Sequence, residues 1–284
     1  MLAVGYFGAV EAQEAETLFQ EAQQAAQAEA YDTALARFEA ALQADPNNLR
    51  YGNAYRLTVI KINQVQTYDR CLAFFKQLVA DHPEAPNAWM NLGYAHVDKI
   101  PLEGAITQVL LANKAIGHFS AALALEENWL GLYTRGNSYV YWPAIFGRTP
   151  LAIADLEKAI ALSKQGEKHN YHARAYVALG EAYWRLNDLE KARQLWREAL
   201  QLFPANEALQ VRLQQDDKAL QAFLTAHFEP GKRVDTDVSG IWKEATASIG
   251  LEQHHRTQQA LLPQPLETRP PIDTNLSGIR SIVE

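Results

Sequence analysis

The pattern Asp-x-Asp/Asn-x-Ser-Gly places oxygen-bearing side chains at alternate positions just ahead of a glycine. Such an arrangement suits either a cation or a tight turn. The sequence contains it twice: VDTDVSGIW at 234–242 returns as IDTNLSGIR at 272–280, 38 residues later. In the second copy Asp273, Asn275, Ser277 and Gly278, with Glu284, follow the ligand spacing of a calcium loop. Two residues speak against that chemistry. Arg280 takes a position that wants an aliphatic side chain, and Thr246 stands where the first copy needs its bidentate Glu. A second chemistry is recognition. Val234, Val238 and Ile241 in one copy, and Ile272, Leu276 and Ile279 in the other, would be apolar anchors around the turn-makers Asp235 and Asp273, with Trp242 closing the first copy. Two docking motifs on one linker would raise avidity by roughly 10²- to 10⁴-fold. The third reading is structural: both copies strap back onto the body of the protein.

Other reactive constellations are missing. Gly231-Lys232 lacks the spacing of a phosphate loop, and no Gly-x-Ser-x-Gly elbow occurs. His169 and His172 straddle an expected helix start, and the adjacent His254 and His255 would point apart. No cofactor, resident metal or catalytic residue is therefore expected, and the chain reads as a non-enzyme. Cys71 is the single cysteine and falls at a small packing position.

Charge narrows the partners. Residues 1–48 carry eight acids against one base, Arg37, which accounts for the net charge of −7. A chain without a positive face cannot release counterions from nucleic acid, so nucleic acid is not expected as a partner. No run reaches the roughly 18 apolar residues that span a bilayer. Residues 1–12, MLAVGYFGAVEA, read as the remnant of a secretory signal, which points to the periplasm or another exported location; the alternative is an apolar first turn on a cytoplasmic protein.

The elements that would position these residues come from internal periodicity. YVALGEAYWRLNDLEKARQLWREALQLFPAN, residues 176–206, is two amphipathic stretches joined by Asn187-Asp188 and closed by Pro204. Gly180 and Ala192 are small where the two helices would approach, Tyr183 and Trp196 are large and suit the space between neighbouring pairs, and Tyr176, Leu179 and Ala199 complete the pattern. The same spacing returns with Ala34, Phe38, Ala41 and Pro46, then with Cys71, Phe75, Leu78 and Pro83. Leu18 and Ala22 hold the large and small positions of the first helix. Trp89, Leu92 and Gly93 open a third unit, and Gly136 and Tyr139 a fourth, each with an insertion before its second helix. The spacing resembles the tetratricopeptide repeat, about five times over residues 15–204. The resemblance implies an all-α fold: a right-handed α-solenoid of helical hairpins over 13–204, capping helices over 205–228 and an extended tail over 229–284.

The same resemblance implies a function. Proteins of this family bind extended peptides on the inner surface, along the first helix of each pair. By repeat register the groove would present Met90, Asn91 and Tyr94, then Tyr133, Asn137 and Tyr141, then Val177, Glu181 and Trp184. Asn91 and Asn137 could grip a peptide backbone with donor and acceptor together. The clamp that other members use for a C-terminal carboxylate is not reproduced, since Phe19, Gln23, Arg56 and Leu57 stand in its place. The enlarged turn of the fourth unit, with Trp142 and Phe146, either packs on the insertion of the third or forms a lip over a ligand. The expectation is an interaction adaptor or assembly subunit, with one partner in the groove and another on the tail. The alternative is a small-molecule or lipid-binding accessory protein whose pocket is closed by residues 141–149.

Overall fold

A computed structural model describes the backbone of residues 2–229 and 232–243, with side chains from residue 12 onward. The chain divides into two units, Met1–Glu244 and Ala245–Glu284. Ten helices of the first unit pair into five antiparallel hairpins: α1 (Leu2–Gln27) with α2 (Tyr31–Ala44), α3 (Leu49–Ile62) with α4 (Val65–Asp81), α5 (Pro86–Lys99) with α6 (Ala105–Leu125), α7 (Trp129–Val140) with α8 (Thr149–Ser163), and α9 (Ala173–Arg185) with α10 (Leu189–Leu202). Two shorter helices follow, α11 (Glu207–Gln214) and α12 (Asp217–His227), and a further turn of helix begins at Gly240. No strand occurs among the described residues. The expectation of an all-α solenoid is met. Helix α1 begins at Leu2, so the stretch read as a leader remnant is helical.

Local chemistry sets the boundaries. Asn187 takes a left-handed φ of 61°, and the Asp188 carboxylate accepts the Lys191 N–H at 3.0 Å, which turns α9 into α10. Asn48 caps α3 through the Tyr51 N–H, and Pro86 and Pro150 sit in the first turns of α5 and α8. A Cβ added at Gly180 would lie 2.1 Å from Trp196 Nε1, so only glycine lets α9 meet α10 at that distance. Trp196 is fully buried and donates to the Val177 carbonyl at 3.1 Å. It packs within its own hairpin, where Gly180 opens the slot, and also meets the next helix, with the Arg212 guanidinium of α11 5.9 Å from its ring centre. Tyr183 does reach the neighbouring pair, with its hydroxyl 3.5 Å from Glu157 on α8.

The hydrophobic core comes in two large parts. One joins hairpins one to three around Phe19, Phe38, Tyr55 and Phe75, and the other joins hairpins four and five to the cap around Leu156, Trp196 and Leu220. A small cluster of Met90, Tyr94, Ala115, Phe119, Ala122 and Val238 lies apart from both. The insertion of the third unit is a 3₁₀ turn at Ile100–Leu102 followed by a lengthened α6 of 21 residues. Helices α5 and α7 do not pack as neighbours in the way α3 packs with α5, or α7 with α9. The inner row of helices is thus loosened at its middle, beside the insertion.

Candidate functional site

Polar groups gather on the inner row where an ordinary helical repeat would bury apolar ones. Asn53 and Arg56 are one turn apart on α3, and both are buried. Asp98, the partner of Arg56, stands in the last turn of α5 with its side chain 2% exposed. Arg56 Nη1 donates to Asp98 Oδ2 at 2.9 Å, Nη2 to Asn53 Oδ1 at 3.0 Å and Nε to Asn91 Oδ1 at 3.3 Å. The guanidinium also lies 4.5 Å from the centre of the Tyr94 ring. Burial pushes the Asp98 carboxyl above its usual range, against the pull of Arg56 and of the Thr236 hydroxyl.

The remaining partner of this network is the chain's own tail. Residues 232–238 form no helix or strand and pass along the first helices of the hairpins. Arg56 Nη2 donates to the Thr236 carbonyl at 3.2 Å, and the Val238 N–H donates to Asn53 Oδ1 at 3.2 Å. Farther along the row, Arg174 on α9 donates to the Asp237 carbonyl at 3.3 Å. Three contacts from three side chains thus hold tail main chain. Side chains add selectivity: the Thr236 hydroxyl donates to Asp98 Oδ1 at 2.5 Å, and Asp237 accepts the Asn53 amide at 3.0 Å. Val238 is 3% exposed in the cluster with Met90, Tyr94 and Phe119, and Ile241 and Trp242 pack half-buried against it. Arg233 anchors the entry, donating to the Asp98 carbonyl and to the Tyr68 hydroxyl, both at 3.0 Å.

Turns within the segment fix its shape. The Asp237 N–H donates to Asp235 at 2.9 Å, and the Ser239 N–H to Asp237 at 2.8 Å. Burial raises the Asp237 carboxyl, but the Ser239 N–H, the Asn53 amide and the Ser239 hydroxyl outweigh it and hold it below the usual range. The alternating oxygens of the first copy therefore serve backbone N–H groups. No group of three or more His, Cys, Asp or Glu placed to hold a metal occurs among the described residues. The second copy, with the calcium positions Asp273, Asn275, Ser277 and Glu284 and the anchors Ile272, Leu276 and Ile279, lies outside the described residues, as does the Pro-rich stretch before it.

The groove residues expected from register divide into four groups. Met90 and Tyr94 meet the tail through Val238, and the Tyr94 hydroxyl bonds Thr134 at 2.6 Å. Burial pushes that hydroxyl up to about 12. Asn91 does not face a peptide. It is fully buried against Gly52, donates to the Asn87 carbonyl at 3.0 Å and accepts from Arg56. Tyr141, Glu181 and Trp184 are covered by the cap. The Tyr141 hydroxyl pairs with His227 at 3.0 Å, Trp184 donates to Gln221 at 2.7 Å, and Glu181 is buried in an ion pair with Arg212 of α11. Tyr133 stacks on Trp129 with ring centres 5.1 Å apart, Val177 spends its carbonyl on Trp196, and Asn137 is half-buried on α7. Asn53, Asp98, Arg174 and Thr236 were missed. The signal available for the first was the pair Asn53 and Arg56, two strongly polar residues one turn apart on the inner register of α3.

The enlarged turn separates its two aromatics. Trp142 is buried, with the Arg148 guanidinium 3.7 Å from its ring centre, and Arg148 reaches Asn113 on α6 at 2.8 Å. Phe146 is 49% exposed and touches Trp142 edge-on. Trp142 and Pro143 form one wall of a cavity of about 350 Å³ whose other walls include Val97, Val109, Tyr141 and Phe228. Arg185 also lines it, and its Nε is buried with no hydrogen-bond partner among the described residues.

Known proteins bear on this arrangement through the fold. Residues 68–121 and 144–205 each match a family model described as a tetratricopeptide repeat. A thermophilic TPR protein of Thermus thermophilus is similar in structure, with a TM-score of 0.50 and 24% identity over 70% of this chain and 97% of that one. MamA aligns at a TM-score of 0.45 and 20% identity, covering 67% of this chain and 92% of MamA. Yeast Tom70 aligns at 0.48 and 19% identity, covering 75% of this chain and 43% of Tom70. No curated protein sequence matches the chain.

Proposed function

The chain is a tetratricopeptide repeat protein, and from that premise we propose that it is an interaction scaffold whose inner groove takes an extended peptide of a protein partner. One observation carries the reading. Asn53, Arg56 and Arg174 hold a non-helical segment by its main chain, while Asp98 and the Val238 slot test its side chains. Main-chain contacts supply affinity for any extended strand, and the pockets supply choice. Residues 234–242 keep the groove when no partner is present, and once displaced they are free to dock on a second protein. A partner must therefore outcompete a tethered ligand, which lowers its apparent affinity in proportion to the fraction of closed grooves.

Peptide display against the full chain tests this. Enriched extended peptides should bind more tightly when Val238→Asp expels the resident segment, and in that background should lose roughly tenfold or more in affinity when Asn53→Ala and Arg174→Ala are added. No enrichment, or binding indifferent to both substitutions, would refute the groove.

A second reading rests on the cavity beside Trp142. Its mostly apolar walls, with the cationic Arg185 and Lys232 beside the acidic Glu229, suit an amphipathic molecule such as a fatty acid. A long-chain carboxylate at a hundredfold excess over Kd should stabilise the chain by about 2.7 kcal/mol. A thermal-shift series from short to long carboxylates that leaves the melting point unmoved removes this reading.

A further inference from the structure

The tail pattern occurs twice, and the groove shows what is read in one copy. We propose that the same groove is also the receptor for the chain's own residues 272–280, which take it when residues 234–242 leave. The inference rests on the groove being a peptide site. Each recognised feature of the first copy has its counterpart in the second. Thr274 replaces Thr236, whose hydroxyl reaches Asp98. Asn275 replaces Asp237 and keeps a side-chain oxygen to accept the Asn53 amide and the N–H of the following Ser277. Leu276 replaces Val238 in the apolar slot, and Ser277, Gly278 and Ile279 are unchanged from Ser239, Gly240 and Ile241. The contacts from Arg56, Asn53 and Arg174 fall on main chain, so they do not depend on the side chains that differ.

The differences set the order of preference. Leu276 adds a methylene to a slot fitted to valine, Asn275 gives up a charge, and Arg280 replaces the half-buried Trp242. The first copy also follows directly on the cap, so its loop is shorter and costs less entropy to close. The first copy holds the groove at rest, and the second is a weaker ligand that enters on vacancy. Reach is not limiting. Residues 243–271 separate the copies, and a segment of that length extends up to roughly 100 Å. A tethered ligand on such a linker acts at an effective concentration of roughly millimolar, which favours the copy in the same chain over one in another.

Hydrogen exchange on the full chain, read by mass spectrometry, tests the exchange in two ways. A synthetic peptide IDTNLSGIR added to the wild type at about 1 mM, the order of the tethered concentration, should speed exchange across 234–242 severalfold. The same peptide carrying Thr274→Ala and Leu276→Asp should not. In the second arm, Val238→Asp expels the first copy, and exchange across 272–280 should slow at every protein concentration; adding Leu276→Asp should restore the faster rate. Circular dichroism checks that the variants fold, and the wild-type arm stands if they do not. An unchanged 234–242 under the peptide overturns the proposal, as does a 272–280 segment that exchanges alike in wild type and in Val238→Asp. Slowing that appears only as concentration rises assigns the ligand to another chain and also overturns it. Failure here leaves 234–242 protected in the wild type, whereas failure of the groove itself would show those amides exchanging at free-peptide rates.

Discussion

Replacing Arg56 with methionine keeps much of the apolar stem and removes the guanidinium. The hydrogen bonds to Asp98, Asn53, Asn91 and the Thr236 carbonyl go with it. Asp98 then keeps the Thr236 hydroxyl as its side-chain partner, with its own side chain 2% exposed. Stripping one member from a buried ion pair costs about 3–5 kcal/mol, because the charge left behind is neither solvated nor matched. Asp98 has one escape, which is to take a proton. Burial already raises its carboxyl above the usual range, and loss of Arg56 raises it further. A carboxyl whose folded pKa is raised favours the folded chain at low pH and loses that advantage as pH climbs through the raised value. The deficit of Arg56→Met against wild type should therefore shrink as pH falls below neutrality. Adding Asp98→Asn removes the charge yet leaves an acceptor for Thr236, and should bring stability back to within about 1–2 kcal/mol of wild type. Urea denaturation followed by circular dichroism measures all three chains. A cost for Arg56→Met of less than about 1 kcal/mol near neutral pH, a deficit flat with pH, or a double variant no better than the single would each show that Asp98 is not left as a stranded buried charge.

Two further outcomes follow from packing and from histidine burial. Gly180→Ala drives a methyl group to 2.1 Å from Trp196 Nε1, and should cost about 1–3 kcal/mol in chemical denaturation; a neutral result would mean that α9 and α10 can part without loss. His118 packs beside His96, with ring centres 5.0 Å apart, and burial, then His96, Lys76 and Lys114, bring its pKa down to about 4. A depressed histidine leaves the unfolded chain to bind the proton first, so its stabilising contribution is present above about 6.5 and drains away as pH falls towards 4. Discounted for partial exposure, the loss should be about 1–2 kcal/mol, and His118→Gln should flatten the pH dependence of unfolding over that window; an unchanged slope counts against it.

The hairpins were legible because their signals repeat. Gly180 opposite Trp196, Asn187-Asp188 at the turn and Pro46, Pro83 and Pro204 between units each state a local requirement, and local requirements survive in a sequence. The groove was legible only in part. Register places Asn91 and Glu181 on first helices, but it cannot say what comes to cover them. Asn91 turns to Arg56 because Gly52 leaves room on the adjoining helix. Glu181 is taken by Arg212, which belongs to a cap with little periodicity of its own. Arg56 and Asp98 are 42 residues apart, and Asp98 and Thr236 are 138 apart. Such pairings depend on how the hairpins stack, which no window of a dozen residues encodes. The tail lacked any period, and its repetition was the sole sign that it had work to do.

That the tail lies where it does follows from the insertions. Lengthening α6 and adding the turn at Ile100–Leu102 leaves α5 and α7 without the close packing that joins α3 to α5 and α7 to α9. A solenoid buries its apolar faces only by nesting each pair on the next, so a loosened step exposes both sides of the break. Met90 and Tyr94 stand on one side, and the Tyr94–Thr134 hydrogen bond spans to the other. Val238 supplies the apolar contact that a tighter step would have drawn from α7. The insertion and the occupied groove are then one adaptation. Shortening α6 from 21 to 14 residues by deleting 105–111, about two turns, keeps the connection at 100–104 and should bring α5 and α7 together, squeeze out the Val238 slot and release the tail. Faster amide exchange across 234–242 with helicity unchanged would report that release. If the tail stays protected after the deletion, its hold comes from the Arg56 network alone and the gap plays no part.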